Sequence, residues 1–499
     1  MKKLLLLVLC LSMLLSATVG LVSCKKDGDG SSESSGDLDE ENVLSDPIYA
    51  DLVKVDYSAG GVPADFNIFA SKSYESTMDV SELTGVQYDD AVVMRNQFIE
   101  SQLGISINEK VVKSTAEGRD TMRSIHSAGL YDYDICYMEG WMQSVLALEG
   151  IYKSLDSYSE NLNLDKPWWF ADVISDMTVM DKCFVVAGDM HLGVYDMIWC
   201  LGYNKEILTD LGLEDPYNLV QSGEWTFENF YKLSIDSKME GKYGIVSHYQ
   251  LADALMVGAD LRLAEKNSDG ELSVASFGDR FTTIYQTMVS YFFNNNGLDD
   301  NNCIKTMSDT AKYMENNKFA GFNQGDSFVG GNAAFYAGVT GDMRSKLPVS
   351  EVDYGFAPIP KYERDQAQYI SWISRPAALC AIPSNIDSQA EGTLERVSNI
   401  MEWLGACSYK FTKPVYYDTI IHGRIAKHPE SAEMLDVIFG TDERGAIRIE
   451  LDATLDLGMT ALLEQYASDC KPNISAGLSS KGGAVEAAID SLHEYYKKA

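Results

Sequence analysis

The stretch that decides the fold runs from Asp65 to Val112: "DFNIFAS" (65–71), then "DDAVVMRNQFIESQLGI" (89–105), then "SINEKVV" (106–112). The first segment has the apolar content and period of a strand. In the second, apolar residues recur at helical spacing and run into Gly104, which can close a helix in the left-handed conformation without steric cost. The third returns to strand character. Downstream, "YDYDICYME" (131–139) predicts another strand and "GWMQSVLALEG" (140–150) the helix after it. Strand, helix, strand, helix at these lengths predicts an α/β fold, with a mostly parallel sheet covered on both faces. In such sheets ligands bind beyond the carboxyl ends of the strands.

The clearest helix start is "GEWTFENFYKL" (223–233). Thr226 suits the N-cap, Glu228 favours the positive end of the helix dipole, and Trp225 and Phe230 have the spacing of a hydrophobic staple. Trp225 is therefore expected to be structural.

Upstream the chain has the plan of a secretory signal: Lys2 and Lys3, an apolar run from Leu4 to Leu15, and small residues at Ala17, Gly20 and Ser23. The order Leu21-Val22-Ser23-Cys24 resembles the bacterial lipobox, in which cleavage precedes a cysteine whose sulfur carries a diacylglyceryl group. On this reading residues 1–23 are a lipoprotein signal peptide, and 24–45 are the lipidated Cys24 with a flexible acidic linker. The run from Lys25 to Asn42 is too polar to fold alone. One acyl chain holds a protein only marginally on a bilayer, and stable anchoring needs two or more. No second apolar run reaches membrane-spanning length, so the anchor is expected to be the one membrane attachment.

The 499 residues carry a formal charge of −34, which becomes −36 once Lys2 and Lys3 leave with the signal. Such a surface repels nucleic acid. Apolar residues make up 45 % of the chain, ample for a core, and the length predicts two lobes instead of one domain. Seven cysteines follow Cys24, at 136, 183, 200, 303, 380, 407 and 470, with no CxxC pair and no zinc spacing. They read as mostly reduced, buried thiols.

Catalytic motifs are missing. There is no HExxH, GxSxG, Walker loop or GxGxxG, and "GDSFVGG" (325–331) has Val329 where a nucleophile elbow needs glycine. His422 and His428 are six apart and do not share a helix face. No metal site, cofactor or enzymatic activity is expected. What recurs is aromatic residues beside polar ones at strand ends: Tyr137, Glu139 and Trp141; Tyr195, Asp196 and Trp199; Trp372, Ser374 and Arg375. Flat aromatic faces cover the apolar faces of sugar rings, while carboxylates and guanidinium groups bond the hydroxyls. Core packing is the competing account of each aromatic.

"LGYNKEILTDLGLEDPYNLVQSGEWTFENFYKLS" (201–234), "GNAAFYAGVTGDMRSKLPVSEVDYGFAPIPK" (331–361) and "PVYYDTIIHGRIAKHPESAEMLDVI" (414–438) resemble segments of the extracellular solute-binding proteins, family 1, the carbohydrate-type receptors of ABC importers. His422 and His428 depart from that pattern, which bears on local helix pairing. The resemblance implies a two-lobed fold of the periplasmic-binding-protein type, class II, with the ligand cleft between lobes. It places lobe 1 at 46–195 plus 375–411 and lobe 2 at 196–374 plus 412–499. It also gathers Lys72, Tyr137, Glu139, Trp141, Tyr195, Asp196, His248, Tyr249, Thr340, Asp342, Arg344, Trp372 and Arg375 around the cleft. The implied protein is a monomeric, extracytoplasmic, lipid-anchored receptor that hands a sugar or oligosaccharide to permease subunits. The alternatives are a receptor of the same fold for a peptide, polyol or other solute, and a surface glycan hydrolase.

Overall fold

The computed structural model describes residues 44–58, 61, 64–71, 78–155, 160–239, 242–293, 303–305, 324–417 and 426–498, so Cys24, Lys72 and His422 lie outside the described residues. The chain divides into a short unit, Met1–Leu52, and a main unit, Val53–Ala499. Within the short unit, Pro47–Tyr49 form a single 3-10 turn, and the Ile48 amide donates to the Asp46 carboxylate at 3.0 Å. Everything that follows concerns the main unit.

Its strands, in chain order, are β1 (Ala64–Ser71), β2 (Ile105–Val112), β3 (Ile135–Glu139), β4 (Trp199–Asn204), β5 (Tyr243–His248), β6 (Ala264–Lys266), β7 (Leu272–Val274), β8 (Cys303–Lys305), β9 (Ala333–Val339), β10 (Tyr354–Ala357), β11 (Tyr369–Ile373), β12 (Ala378–Ala381) and β13 (Gly445–Ile449). One sheet has the order β12-β3-β1-β2, the other β10-β4-β9-β5-β8, and β11-β13 and β6-β7 form two small pairs.

The first sheet grows from the stretch that opens the sequence analysis. β1 pairs in parallel with β2 and β3, and the helix Gln87–Leu103 makes the crossover that a parallel pair requires. Gly104 ends that helix at φ 63°, its amide donating to the Glu100 carbonyl at 2.9 Å. β12 closes the other edge, antiparallel to β3. In the second sheet β4 and β9 are buried along almost their whole length, so they read as continuous apolar runs without alternation.

The chain passes between the sheets through two adjoining segments. Residues 192–197 form a 3-10 turn that leads into β4, and β11 runs back toward β12. Ile198 bridges Ile373 in antiparallel sense, and the Ser374 amide donates to the Met197 carbonyl at 2.9 Å. A helix from Thr393 to Pro414 then packs on the first-sheet helix Gln87–Leu103, and the helix Pro429–Ile438 packs on β10 of the second sheet. His428 stands at the start of that helix with Nε2 2.5 Å from Asp353 Oδ1.

Polar groups lock the core at a few points. Arg95 is fully buried, and its guanidinium donates to the Met78 carbonyl (2.6 Å), the Met190 carbonyl (3.1 Å) and Ser408 Oγ (3.0 Å), so the desolvation cost of the charge is offset by hydrogen bonds. Glu402 accepts from the indoles of Trp168 (3.2 Å) and Trp169 (3.0 Å) and from the Asn163 amide (3.1 Å). At the start of the helix Phe227–Asp236, Thr226 caps the Asn229 amide, and the Trp225 and Phe230 rings lie 5.5 Å apart. The Trp225 indole is wholly buried and donates to the Pro358 carbonyl at 2.7 Å, which makes it a structural residue. Cys136, Cys183, Cys200, Cys380 and Cys407 are buried free thiols. Among the described residues no helix is long and apolar enough to cross a membrane.

Candidate functional site

β3 ends at Glu139, and the chain turns at once into the helix Gly140–Leu148. A Cβ on Gly140 would stand 2.9 Å from the Leu379 side chain. With glycine there, the backbone approaches the returning crossing: the Gly140 amide donates to the Ala377 carbonyl at 2.9 Å and the Trp141 amide to the Arg375 carbonyl at 3.3 Å. Trp141 keeps its ring partly exposed, while its indole N–H donates to Glu139 Oε2 at 2.6 Å. Burial, with the charge of Glu464 beside it, raises the Tyr249 phenol above its ordinary range, and the half-buried Arg375, which lies against the Tyr249 hydroxyl, opposes that rise only in part. Tyr249 follows the end of β5, with its ring 4.0 Å from that of His248. Burial pushes His248 down to about 4, so its imidazole is neutral at pH 7.

A second constellation surrounds the first crossing. Asp196, 2 % exposed, accepts a two-pronged pair from Arg344 (Nε 3.0 Å, Nη2 2.9 Å) and a third bond from the Tyr416 hydroxyl at 2.5 Å. Arg344 also lies over the Tyr416 ring, 5.8 Å from its centroid. Thr340, at the end of β9, donates its amide to the Ile198 carbonyl at 2.9 Å and its hydroxyl to the Tyr195 carbonyl. The Tyr195 ring is buried among Phe170, Tyr416 and Phe439, and its hydroxyl donates to Asp189 Oδ1 at 3.3 Å. Lys413 holds the other Asp189 oxygen at 3.1 Å. Burial still lifts Asp189 to about 6, against the pull of Lys413.

The structure thus brings Glu139, Trp141, His248, Tyr249 and Arg375 together in one group, and Tyr195, Asp196, Thr340 and Arg344 in another. Asp342 lies on the same helix as Arg344, is exposed, and accepts from the Tyr336 hydroxyl at 3.0 Å. Tyr137 is buried and stacks on His191 with centroids 4.9 Å apart. Trp372 joins neither group: it is 0 % exposed and packs against Trp199 at 5.8 Å. Sequence reasoning missed Asp189, His191, Lys413 and Tyr416, none of which stands in a motif. The aromatic pair in "VYYD" (415–418) is the nearest thing to a signal.

An indole face, a guanidinium, a phenol and a carboxylate set side by side can cover a ring and bond its hydroxyls. Among the described residues no group of three or more His, Cys, Asp or Glu side chains is placed to hold a metal ion.

Comparison with known proteins agrees with this architecture. The sugar-binding protein MalE from the phytopathogen Xanthomonas citri superposes with a TM-score of 0.57 at 14 % identity, covering 87 % of this chain and 100 % of that one. The ABC substrate-binding protein Lmo0181 from Listeria monocytogenes, in complex with cycloalternan, gives 0.52 at 9 % identity over 87 % and 99 % of the two chains. A family 1 extracellular solute-binding protein from Bifidobacterium longum subsp. infantis gives 0.52 at 13 % identity over 87 % and 100 %. At such identities the likeness speaks to the fold, which is α/β and two-lobed. The sequence matches no curated protein. The family model for bacterial extracellular solute-binding proteins matches residues 98–380, more than half of the chain, and the chain belongs to that family.

Proposed function

We propose that this solute-binding protein is a lipid-anchored receptor that encloses a sugar or short oligosaccharide between its lobes and delivers it, chemically unchanged, to the permease of an ABC importer. The observation that carries this reading is the wall formed by Trp141, Glu139, Arg375 and Tyr249. There the end of a first-sheet strand, the end of a second-sheet strand and a crossing segment meet, and an indole stands beside hydrogen-bonding groups of both kinds. A ligand touching both lobes favours the closed arrangement over the open one, so occupancy becomes a conformational signal a permease can read. Lys72, beyond β1, is proposed to reach the same ligand. Anchoring is assigned to Cys24 and the tether to the acidic run after it.

The test is calorimetry of the unliganded protein against linear and cyclic oligosaccharides, polyols and short peptides. The expected result is binding of a saccharide that is recovered intact. Binding of peptides with no response to any saccharide would refute the sugar assignment, and recovery of cleaved saccharide would refute the receptor assignment.

A further inference from the structure

Behind the Tyr249–Arg375 wall lies a group of acids for which binding of a solute gives no account. Asp253 sits in the first turn of the helix Leu251–Gly258, just past Tyr249, and Glu464 lies on the facing helix Met459–Ser468. Asp253 is 3 % exposed and Glu464 8 %. Neither Asp253 oxygen nor Glu464 Oε1 meets a nitrogen or hydroxyl donor within hydrogen-bonding geometry. The two carboxyl groups instead face each other within reach of a hydrogen bond. Two ionised carboxylates offer only acceptors, so that contact needs a proton between them.

The surroundings agree. Glu450, 3 % exposed and with one oxygen also lacking a donor, bears on Asp253, with Asp452 and Arg262 beside it in turn. Gln250 supports Glu464. Arg280, from the helix Asp279–Met288, spends its charge at the other end of the Asp253 helix, on the Ala259 carbonyl. Arg375 is the cation that faces both members of the pair. A cavity of about 10 Å³ beside Asp253 and Glu450 has room for one water, which can solvate an oxygen but cannot neutralise the pair.

We infer that Asp253 and Glu464 hold one proton between them and thereby set the electrostatic potential at Arg375, forming a proton switch directly behind one wall of the cleft. With the proton in place, the pair carries one negative charge against one guanidinium. Its release leaves a second, uncompensated charge in a buried site and draws Arg375 inward.

The sign of the linkage follows. Burial and mutual repulsion raise the proton affinity of the pair in the folded chain. Its contribution to stability is therefore full below the unfolded carboxylate range of about 4 and is lost as pH rises through the pair's titration in the folded state.

The experiment measures melting temperature against pH for the unliganded parent, Asp253→Asn, Glu464→Gln and Arg375→Gln, with difference infrared spectra of the carboxyl region at neutral pH. Each amide variant should lose a slope equivalent to about one proton from the pH dependence of stability, together with a protonated-carboxyl band. Arg375→Gln should move the parent's loss of stability to higher pH, because the cation that eases ionisation is gone. Parallel profiles in parent, Asp253→Asn and Glu464→Gln overturn the shared proton. An Arg375→Gln profile superposable on the parent's overturns the link to the cleft, and this variant, being half-exposed, tests the idea even if an amide variant fails to fold. The corollary that proton release weakens the hold of Arg375 on a solute rests on the cleft proposed above. The melting and infrared measurements need no solute, so they fail or succeed independently of that reading.

Discussion

Removing the Arg344 side chain should loosen the first crossing. Asp196 is 2 % exposed and takes two of its three hydrogen bonds from this guanidinium, which is itself 21 % exposed. Removing one partner of a buried ion pair costs about 3–5 kcal/mol, because the other charge is left in the interior. Here the Tyr416 hydroxyl still holds Asp196, and the arginine was partly solvated, so Arg344→Ala belongs at the low end, about 3 kcal/mol. That is roughly a hundredfold in an opening equilibrium. A single unfolding energy is poorly defined for two lobes, so the assay is local: hydrogen exchange of peptides covering 192–198 and the start of the helix at Thr340. Protection there should fall by about two orders of magnitude in Arg344→Ala, and by less in Arg344→Lys, which keeps the charge but loses the two-pronged geometry. Exchange at 192–198 identical to the parent's would show that the pair does not hold the crossing. If solute affinity fell at the same time, Arg344 would belong to the ligand instead.

Trp141→Ala should weaken solute binding by about 1–3 kcal/mol by calorimetry while leaving stability nearly unchanged, since the ring is partly exposed. Trp372→Ala should do the reverse, costing about 3–5 kcal/mol of stability through the cavity it leaves against Trp199, and a variant as resistant to urea as the parent would contradict its place in the core. Glu402 is raised to about 7, chiefly by burial, so its contribution to stability is full below the ordinary range near 4.5 and is lost as pH rises through 7. Glu402→Gln should flatten that fall between pH 5 and 8, and the emission of Trp168 and Trp169 reports the same step; an unchanged melting profile counts against it. Cys24→Ala should yield a folded protein that no longer sediments with membranes, whereas sedimentation equal to the parent's would remove the lipid anchor.

Local signals carried much of the fold. Expected spans of 65–71, 89–105 and 106–112 meet observed elements at 64–71, 87–103 and 105–112, because strand period, helix period and the Gly104 terminator agree with one another. The third strand begins later than the pattern at 131 implies. Asp134 precedes it, held by the Asn67 amide at 2.8 Å, the Tyr131 hydroxyl at 2.9 Å and Arg396 at 2.6 Å, so its carboxylate belongs to a buried ion pair and not to an alternating strand. The site was less legible. Trp141 and Trp372 both stand beside polar residues in the sequence, yet one is partly exposed next to Glu139 and the other is sealed at every neighbouring position of β11. Residue type cannot separate them, since burial depends on what the rest of the chain packs above the strand. Tyr416 and Lys413 reach Asp196 and Asp189 across 220 and 224 residues, a range at which no periodicity carries information.

The five buried thiols have a consequence for how the chain must mature. Burial pushes Cys136 and Cys183 up to about 11, and it acts in the same direction on Cys200, Cys380 and Cys407. The reactive species is the thiolate, and oxidation follows both thiolate content and access. In the folded protein both factors shield these positions from oxidants. The unfolded chain offers the same sulfurs freely. Vulnerability to oxidants is thus confined to the interval before the core collapses and to any later unfolding. Durability outside the cytoplasm then depends on how slowly the protein unfolds more than on its equilibrium stability.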